Sequence, residues 1–563
     1  MAVIGIDLGT TNSLVACYKN NNVEIIPNSL GDNLTPSVVS ILESGEVVVG
    51  KVAKELSVNN PKHSAKEFKR FMGTNKKYYL GDKEFSAIDL SALVLKSLVI
   101  DAENYLNEPV EQAVISVPAY FNEQQRKATI QAALIAGIKV KRLINEPTAA
   151  ATAYHLHKSK NDKTVVIVDL GGGTFDVSIL EIFESILEVR AVAGDNYLGG
   201  QDFDKALMNY ICTKINVPKN SLTTYEKAKL KFLAERCKMQ LSDNNTATFN
   251  ICINDTEHNT IISKDEFNNV IKNIMLKMKL PLKKAIRDAH IKLDYIDEII
   301  MVGGSTKIPA VKNFLATLFA RLPLCYLNPD EVIVRGAAIL AAMNAHNEEL
   351  KDIVLTDVCP FTLGIAVAQA ITPNEYKTGV FSPIIERNTI VPCSYSHSYV
   401  TTRDNQESIN VVVYQGESRM VSDNLKLGKI SIKVPPLPSG LAEVGVRFTY
   451  DINGILEVEV TSTNTGEVKK EILLNKNNLS QQDIEKHLKL IESLKLHPKD
   501  QDENLLLIAK GNRYYETTLG ELRNQITFEI SLFESALESQ NRTIIKEAKQ
   551  RLLEFYEFVE DQY

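Results

Sequence analysis

Val168-Asp169-Leu170-Gly171-Gly172-Gly173-Thr174-Phe175-Asp176 decides how this chain folds. A second stretch, Ile6-Asp7-Leu8-Gly9-Thr10-Thr11-Asn12-Ser13, has the same order of residue types. Residues 3–8 and 164–170 are short, continuous apolar runs rich in β-branched side chains, the pattern of buried strands. Each run passes through Asp-Leu-Gly into small residues and Thr, which suit a tight turn with its N–H groups facing outward. With no Cβ in the way, such a turn lets backbone donors close on a phosphate. The Asp that leads each turn suits Mg2+, a hard ion that favours carboxylates and keeps several of its waters. Two facing turns would grip a triphosphate from both sides. Two unrelated glycine turns would also explain either stretch alone. The repetition argues against coincidence.

The rest of the composition narrows the class. A chain of 563 residues is too long for one core and implies two to four domains. Hydrophobic residues at 44% and charged residues at 24% fit a soluble globular protein. A net charge of −7 argues against general nucleic-acid binding. No two of the seven cysteines have CxxC spacing, so neither a zinc site nor a disulfide framework is indicated, and reduced thiols in the cytoplasm are expected. The first residues have no basic segment before their apolar run, unlike a secretory signal, and no apolar window is long enough to span a membrane.

Over residues 1–150 strand and helix signals alternate. Strands are expected over 23–27, 47–50 and 113–117, and a helix over 90–106 with Asp89 and Ser91 as caps. A further helix is expected from Asn122. The run 140–145 reads as a strand that enters an alanine-rich helix through Pro147 at its first position. The same grammar recurs over 164–346, with strands over 189–192 and 296–302, the latter ending in Gly303-Gly304-Ser305-Thr306-Lys307-Ile308-Pro309. The helix over 225–241 is rich in Lys, which reads as a solvated face. Residues 348–358 are acidic around Ile353-Val354-Leu355 and read as a linker. Residues 359–474 show short alternating strands, with Asp451-Ile452-Asn453-Gly454 as a hairpin connection, and so an all-β module. From 479 helices return, with Ser480 and Asp483 as a capping box and two further helices over 520–538 and 543–561.

Taken with Asn145 to Ala151, Gly194 to Asp204 and Asn328-Pro329-Asp330-Glu331, these motifs resemble the seventy-kilodalton heat-shock chaperones of the DnaK type. The junction Asp357-Val358-Cys359-Pro360-Phe361-Thr362-Leu363-Gly364 is most similar to the HscC branch. The resemblance spans about residues 1–475 and is weaker over the C-terminal helices. It implies an actin-like α/β ATPase domain (a duplicated ribonuclease-H-like fold) over 1–350 and a linker over 351–358. A β-sandwich peptide-binding domain over 359–475 and an α-helical lid over 476–563 complete the expected order. It also implies ATP or ADP with Mg2+, with K+ as an optional second ion. Asp7 and Asp169 become the carboxylates that hold Mg2+ through water. Gly9, Thr10, Thr11 and Asn12, with Gly171, Gly172, Gly173 and Thr174, become the phosphate loops. Gly199, Gly200, Glu235, Lys238, Ser242, Gly303, Gly304, Ser305, Lys307 and Asp330 become the adenosine-binding set. Lys69 matches a lysine near the γ-phosphate, Glu146 a carboxylate near the attacking water, and Pro118 a proline switch. Arg142, Asn145 and Asp357 match positions that contact a J-domain co-chaperone. Leu363, Ile365, Tyr399, Ile409 and Val411 fall where the family lines its groove for an extended client polypeptide; they would equally serve as sandwich core. Without the resemblance, Lys69 and Lys238 read as surface lysines, Glu146 as a first-turn helix acid and Thr174 as a turn hydroxyl.

The chain also departs from the family pattern. The linker Ile353-Val354-Leu355-Thr356 replaces a fully apolar, leucine-rich run. Ala368 and Thr402 occupy the positions of an arch over the peptide, and 369–386 reads as an insertion beside the groove. Residues 74–88 and 205–225 are short, the second in the lobe that exchange factors bind. Two other classes share the two-lobed phosphate grip. A sugar or acetate kinase would need a small-substrate pocket, and an actin-like filament protein would need self-assembly; neither uses an all-β module after residue 359.

Overall fold

The computed structural model describes residues 2–42, 44–154, 162–183, 186–254, 256–343, 354–372, 375–450, 456–472, 499–518, 520–538 and 542–561. Its N-terminal part is built on two sheets of matching topology. The first contains β1 (Ala2–Asp7), β2 (Asn12–Lys19), β3 (Asn22–Ile26), β4 (Val110–Val117) and β5 (Lys139–Asn145), in the order β5-β4-β1-β2-β3. The second contains β6 (Lys163–Leu170), β7 (Phe175–Phe183), β8 (Ile186–Asp195), β9 (Glu298–Val302) and β10 (Val354–Val358), in the order β9-β6-β7-β8-β10. In each sheet the strand that carries the Asp-Leu motif has a parallel neighbour on one side and an antiparallel one on the other. The repeat in sequence is thus a repeat in space. The glycine turn folds the chain back into the antiparallel partner, whereas the parallel partner is reached only by a long crossover.

The helices around the first sheet are α1 (Lys51–Asn59), α2 (Ala87–Leu106) and α3 (Glu123–Ile135). The start of α2 corrects an expectation. Ser86, not Asp89 or Ser91, is the N-cap: its hydroxyl accepts from Asp89 N–H, and Asp89 accepts in return from Ser86 N–H at 2.8 Å. Ser91 is buried inside the helix. The helix expected from Asn122 is α3, and Asn122 is its N-cap. α4 (Glu146–Ala153) begins one residue earlier than Pro147 suggested, so Glu146 is its first residue and Pro147 its second.

α5 (Gly200–Lys214) and α6 (Thr224–Asp243) cover the second sheet. α6 carries a second correction. Lys229 is buried, Lys231 and Lys238 are half-buried, and only part of this helix is a solvated face. Between the sheets lie α4 and α7 (Val332–Met343), packed through Ala149, Ala150, Ala337 and Leu340. The helices cross so closely that a Cβ on Gly336 would lie 1.8 Å from the Ala149 carbonyl oxygen. The two lobes meet along this seam.

Past the linker, two four-stranded antiparallel sheets form a sandwich. One has Glu375–Ile385, Leu363–Thr372, Ser408–Gln415 and Leu425–Lys433; the other has Cys393–Val400, Glu443–Tyr450, Leu456–Ser462 and Val468–Ile472. Alternation places Val444, Val446, Phe448 and Tyr450 in the core between them. Of the residues read as an insertion, 369–372 and 375–385 lie in the first two strands named, paired antiparallel. The expected hairpin connection at 451–454 and the capping box at Ser480 lie outside the described residues.

Among the described residues three helices follow: α8 (Lys499–Thr517), α9 (Gly520–Glu538) and α10 (Arg542–Asp561). The last two match the expected helices. The bundle closes around Leu507, Tyr514, Ile526, Phe533, Leu552 and Tyr556.

Three contacts tie these parts together. The backbone of β10 adds in parallel to β8, with Leu355 opposite Leu187. Arg387 of the sandwich forms two bonds to Asp288, at 2.8 and 3.1 Å, and Phe361 packs 4.4 Å from Tyr120. The helical bundle packs through α8 on α1, and reaches α6 through Arg513 over Phe232 and Glu516 at Tyr225.

Candidate active site

A cavity of about 440 Å³ opens between the two lobes where the repeated turns face each other. Asp7, Gly9, Thr10, Thr11 and Asn12 line it from the first sheet; Asp169, Gly171, Gly172 and Thr174 line it from the second. The turns approach so closely that a Cβ on Gly172 would lie 1.8 Å from Thr11 Oγ1. Glycine is therefore required there by the opposite lobe, not only by its own turn. Gly173 faces away from the cavity, with its carbonyl accepting from Arg70 Nε at 2.8 Å. Gly199 and Gly200 also sit behind the loop, where Gly200 N–H donates to the Gly171 carbonyl at 3.0 Å and braces it.

At the base of the cleft lie groups that sequence alone scattered over a hundred residues. Lys69, on a short 3-10 turn (Phe68–Phe71), is buried and not a surface lysine. Its Nζ lies 3.0 Å from Glu146 Oε1, and both side chains are 6% exposed. Burial alone would lower the lysine's pKa; Glu146 and Asp7 hold it above the usual value. Lys69 is therefore an ammonium at neutral pH.

Four carboxyls surround this one ammonium. Burial, then repulsion from Glu146, pushes Asp7 up to about 6, although Lys69 and a 2.7 Å bond from Ser116 Oγ work the other way. Burial and the same repulsion raise Asp169 well above the carboxylate range. Asp176, directly opposite Asp169 in the antiparallel register, is raised to about 8, again chiefly by burial and by Glu146. Asp169 Oδ2, Asp176 Oδ2 and Thr11 Oγ1 are buried and have no protein partner. Such a surplus of negative groups around orphaned oxygens fits a hydrated divalent cation. Among the described residues no three His, Cys, Asp or Glu side chains converge for direct ligation.

Toward the mouth, Glu235, Lys238, Ser242, Gly303, Gly304, Ser305, Lys307 and Asp330 all line the cavity. Lys238 pairs with Asp204 at 2.7 Å, and Lys307 with Asp330 at 2.5 Å. Ser305 Oγ donates to the Gly171 carbonyl at 2.8 Å, which joins this wall to the second turn. Lys54 of α1 crosses to Glu235 of α6 at 2.9 Å, and Glu67 pairs with Lys231. Lys54, Glu67, Lys231, Asp176 and Asp204 were not foreseen as site residues. Asp176 and Asp204 stood inside quoted stretches; Lys54, Glu67 and Lys231 were missed because their partners lie in the opposite lobe.

Behind Glu146 the geometry continues into the linker. Asn145, the preceding residue, donates from Nδ2 to Asp357 Oδ2 at 2.5 Å. Arg126 Nη2 donates to Asn145 Oδ1 at 2.7 Å and to the Ala119 carbonyl beyond buried Pro118. Asp357 is raised by burial, against the pull of the Val358 N–H, Arg126 and Arg142. Arg142 is half-buried, and its Nε has no partner. Arg126, a link in this chain, was also not foreseen.

The expected groove residues do not converge on one open surface. Leu363, Ile365 and Val411 are buried in the sandwich core, and Tyr399 and Ile409 are half-buried at its margin. Tyr399 hydroxyl lies 3.1 Å from Ser382 Oγ.

Paired backbone turns over a lysine and a surplus of carboxylates are the chemistry that suits a phosphate ester and its cation between two lobes. Comparison with known proteins narrows this. The family profile described as Hsp70 protein matches residues 3–80 and 76–561. Chaperone protein DnaK of Thermosipho melanesiensis is 38% identical over 540 residues, covering 93% of this chain and 89% of that relative. Chaperone protein DnaK of Thermotoga neapolitana is 40% identical over 517 residues, covering 89% and 85%. The chain belongs to the Hsp70 family, and with it to the chaperone ATP hydrolases.

Proposed function

We propose that this chain is an ATP-dependent chaperone that binds extended apolar segments of unfolded polypeptides and switches its affinity for them by binding and hydrolysing ATP. In this reading residues 1–350 form an actin-like ATPase domain of duplicated ribonuclease-H-like lobes, 351–358 the linker, 359–475 the peptide-binding sandwich and 476–563 the lid. The protein works in the cytoplasm, with a J-domain co-chaperone and an exchange factor as partners.

The chemistry follows from the cleft. Phosphoryl transfer to water needs positioning and charge neutralisation more than covalent help. The two turns would hold the β- and γ-phosphates with backbone N–H groups. Lys69, fixed as an ammonium by Glu146, would neutralise a γ-phosphate oxygen. Glu146, held by that lysine, would orient the attacking water, with Thr174 hydroxyl beside it. Mg2+, held through water by Asp7 and Asp169, would supply charge neutralisation to the phosphate oxygens when bound, and K+ would be an additional ion. Gly199 and Gly200 would support the adenosine set from behind the loop.

One observation carries the coupling: the linker strand β10 is hydrogen-bonded into the same sheet as β6, the strand of Asp169, with only two strands between them. A change of angle between the lobes therefore acts on the linker directly. A nucleotide can drive the switch only by binding the linker-engaged and linker-released states differently. The arrangement here, with linker engaged and bundle on the lobes, corresponds to the ATP-bound state of that cycle. Arg142, Asn145, Asp357 and Pro118 form the path by which a J-domain partner would accelerate hydrolysis.

The test is single-turnover ATP hydrolysis by the full chain, with and without an apolar peptide. Peptide should accelerate the wild type. Turnover that ignores peptide would refute the chaperone reading and favour a stand-alone ATPase; normal hydrolysis by Lys69→Ala would remove Lys69 from the chemistry.

A further inference from the structure

Helix α8 lies across both lobes at the mouth of the cleft, and one side chain touches each. Arg513 Nη1 forms an ion pair with Glu55 Oε2 of α1 at 2.8 Å, both side chains being 15% exposed. The same guanidinium lies 5.4 Å from the ring centroid of Phe232 on α6. On the α1 side, Leu506 packs with Val38, Val48, Val52 and Ala53. On the α6 side, Tyr225 hydroxyl donates to Glu516 at 2.8 Å. α1 belongs to the first lobe and α6 to the second, so these contacts form a strap.

The strap lies over the nucleotide wall. Phe232 lines the nucleotide cavity on one face and, on the other, a second cavity of about 610 Å³ that Arg513 and Tyr514 also line. Lys54 and Glu67 of the first lobe pair with Glu235 and Lys231 of α6 directly beneath. Parting α1 from α6 to release a ligand would break all of these at once. A planar guanidinium suits the post: it keeps its charge at any working pH, bonds a carboxylate edge-on and stacks on an aromatic face-on.

We infer that Arg513 is a positioning residue of the ATPase cycle, a latch by which the docked lid bundle holds the two lobes together and slows nucleotide release. This rests on the nucleotide reading of the cleft. It makes the lid a control on nucleotide exchange as well as a cover for peptide. Arg513 touches no reacting atom, so hydrolysis of nucleotide already bound should not depend on it.

The experiment uses the full chain and a slowly hydrolysed, fluorescent N-methylanthraniloyl ATP analogue, displaced by excess ATP in a stopped-flow mixer. Arg513→Ala should release the analogue about tenfold faster, a change of ~1.4 kcal/mol. Glu55→Gln, on the other element, should do the same, and the double variant should add little. Arg513→Lys, which keeps charge but not the planar stack, should fall between. Single-turnover hydrolysis of bound ATP should stay within twofold of wild type in all four. Unchanged release from Arg513→Ala and Glu55→Gln, with normal analogue binding, would overturn the latch and leave the nucleotide reading intact. A wild-type chain that binds no analogue would overturn both.

Discussion

Asp176→Asn should stabilise the ligand-free protein, and by an amount that depends on pH. Asp176 is 1% exposed, faces Asp169 across the strand pair, and keeps one oxygen without a partner. Its other oxygen accepts from Tyr120 N–H at 3.2 Å, a bond that an Asn carbonyl would keep. The fold raises the group from 3.8 to about 8. A carboxyl with a raised folded pKa holds its proton more tightly folded than unfolded, so its contribution falls as pH rises from about 4 toward about 8. At ~1.36 kcal/mol per pH unit, the penalty at pH 7.5 is on the order of 5 kcal/mol, falls to about 2 kcal/mol at pH 5 and is mostly gone near pH 4. Asn removes it, at the loss of a donor the neutral acid can offer, and a net gain of ~2–4 kcal/mol is expected at pH 7.5. For a lobe of this size the first thermal transition should rise by ~5–15 °C. The assay is differential scanning calorimetry without nucleotide or divalent ion at pH 4, 5, 6.5 and 7.5. A gain that does not shrink toward pH 4, or a loss at pH 7.5, would refute the reasoning, because it would mean that Asp176 is ionised and satisfied in the fold.

Three further outcomes follow from buried partners. Lys69→Ala leaves the Glu146 carboxylate unpaired in a dry site and should cost ~3–5 kcal/mol of stability, most of which a Lys69→Met, Glu146→Gln double variant should recover; chemical denaturation of the wild type and both variants measures it. Asp357→Ala removes a charge-assisted bond worth ~1.5–3 kcal/mol to the docked linker, so protease cleavage within 354–358 should become at least ~tenfold faster. Gly336→Ala should lower the melting temperature sharply, with a loss above ~3 kcal/mol, because the two helices must separate to admit the methyl group; a wild-type melting curve would contradict the crossing.

The parts of the fold that depend on a short window were legible in the sequence. Residues 164–170 and 3–8 read as strands because burial on both faces demands a continuous apolar run, and the helix from Asn122 read as one because Pro118 ends the strand before it and Glu123 stands in its first turn. The parts that depend on a distant partner were not. Lys69 sits among charged neighbours, and the carboxylate that buries it is 77 residues on. The lysines of α6 look like a solvated face until Glu67 of the first lobe meets Lys231 and Asp204 of α5 meets Lys238. Residues 354–358 read as a linker because a strand added to another sheet's edge carries no periodicity of its own; its backbone partner Ile186 lies far back in the chain. At α2 the apolar spacing found the helix, but the cap was settled by which hydroxyl, Ser86 or Ser91, stood outside the first turn.

Asn145 and Glu146 are consecutive residues, yet one holds the linker carboxylate and the other the cleft lysine. They also straddle the point where β5 becomes α4, so their directions are fixed relative to each other by the start of a helix. One residue inserted there would swing Glu146 about 100° around the helix axis relative to Asn145. The junction therefore tolerates no change of length. Loops elsewhere can grow or shrink as lineages diverge, but this joint has a fixed gauge, and any relative that keeps both grips must keep the two letters side by side.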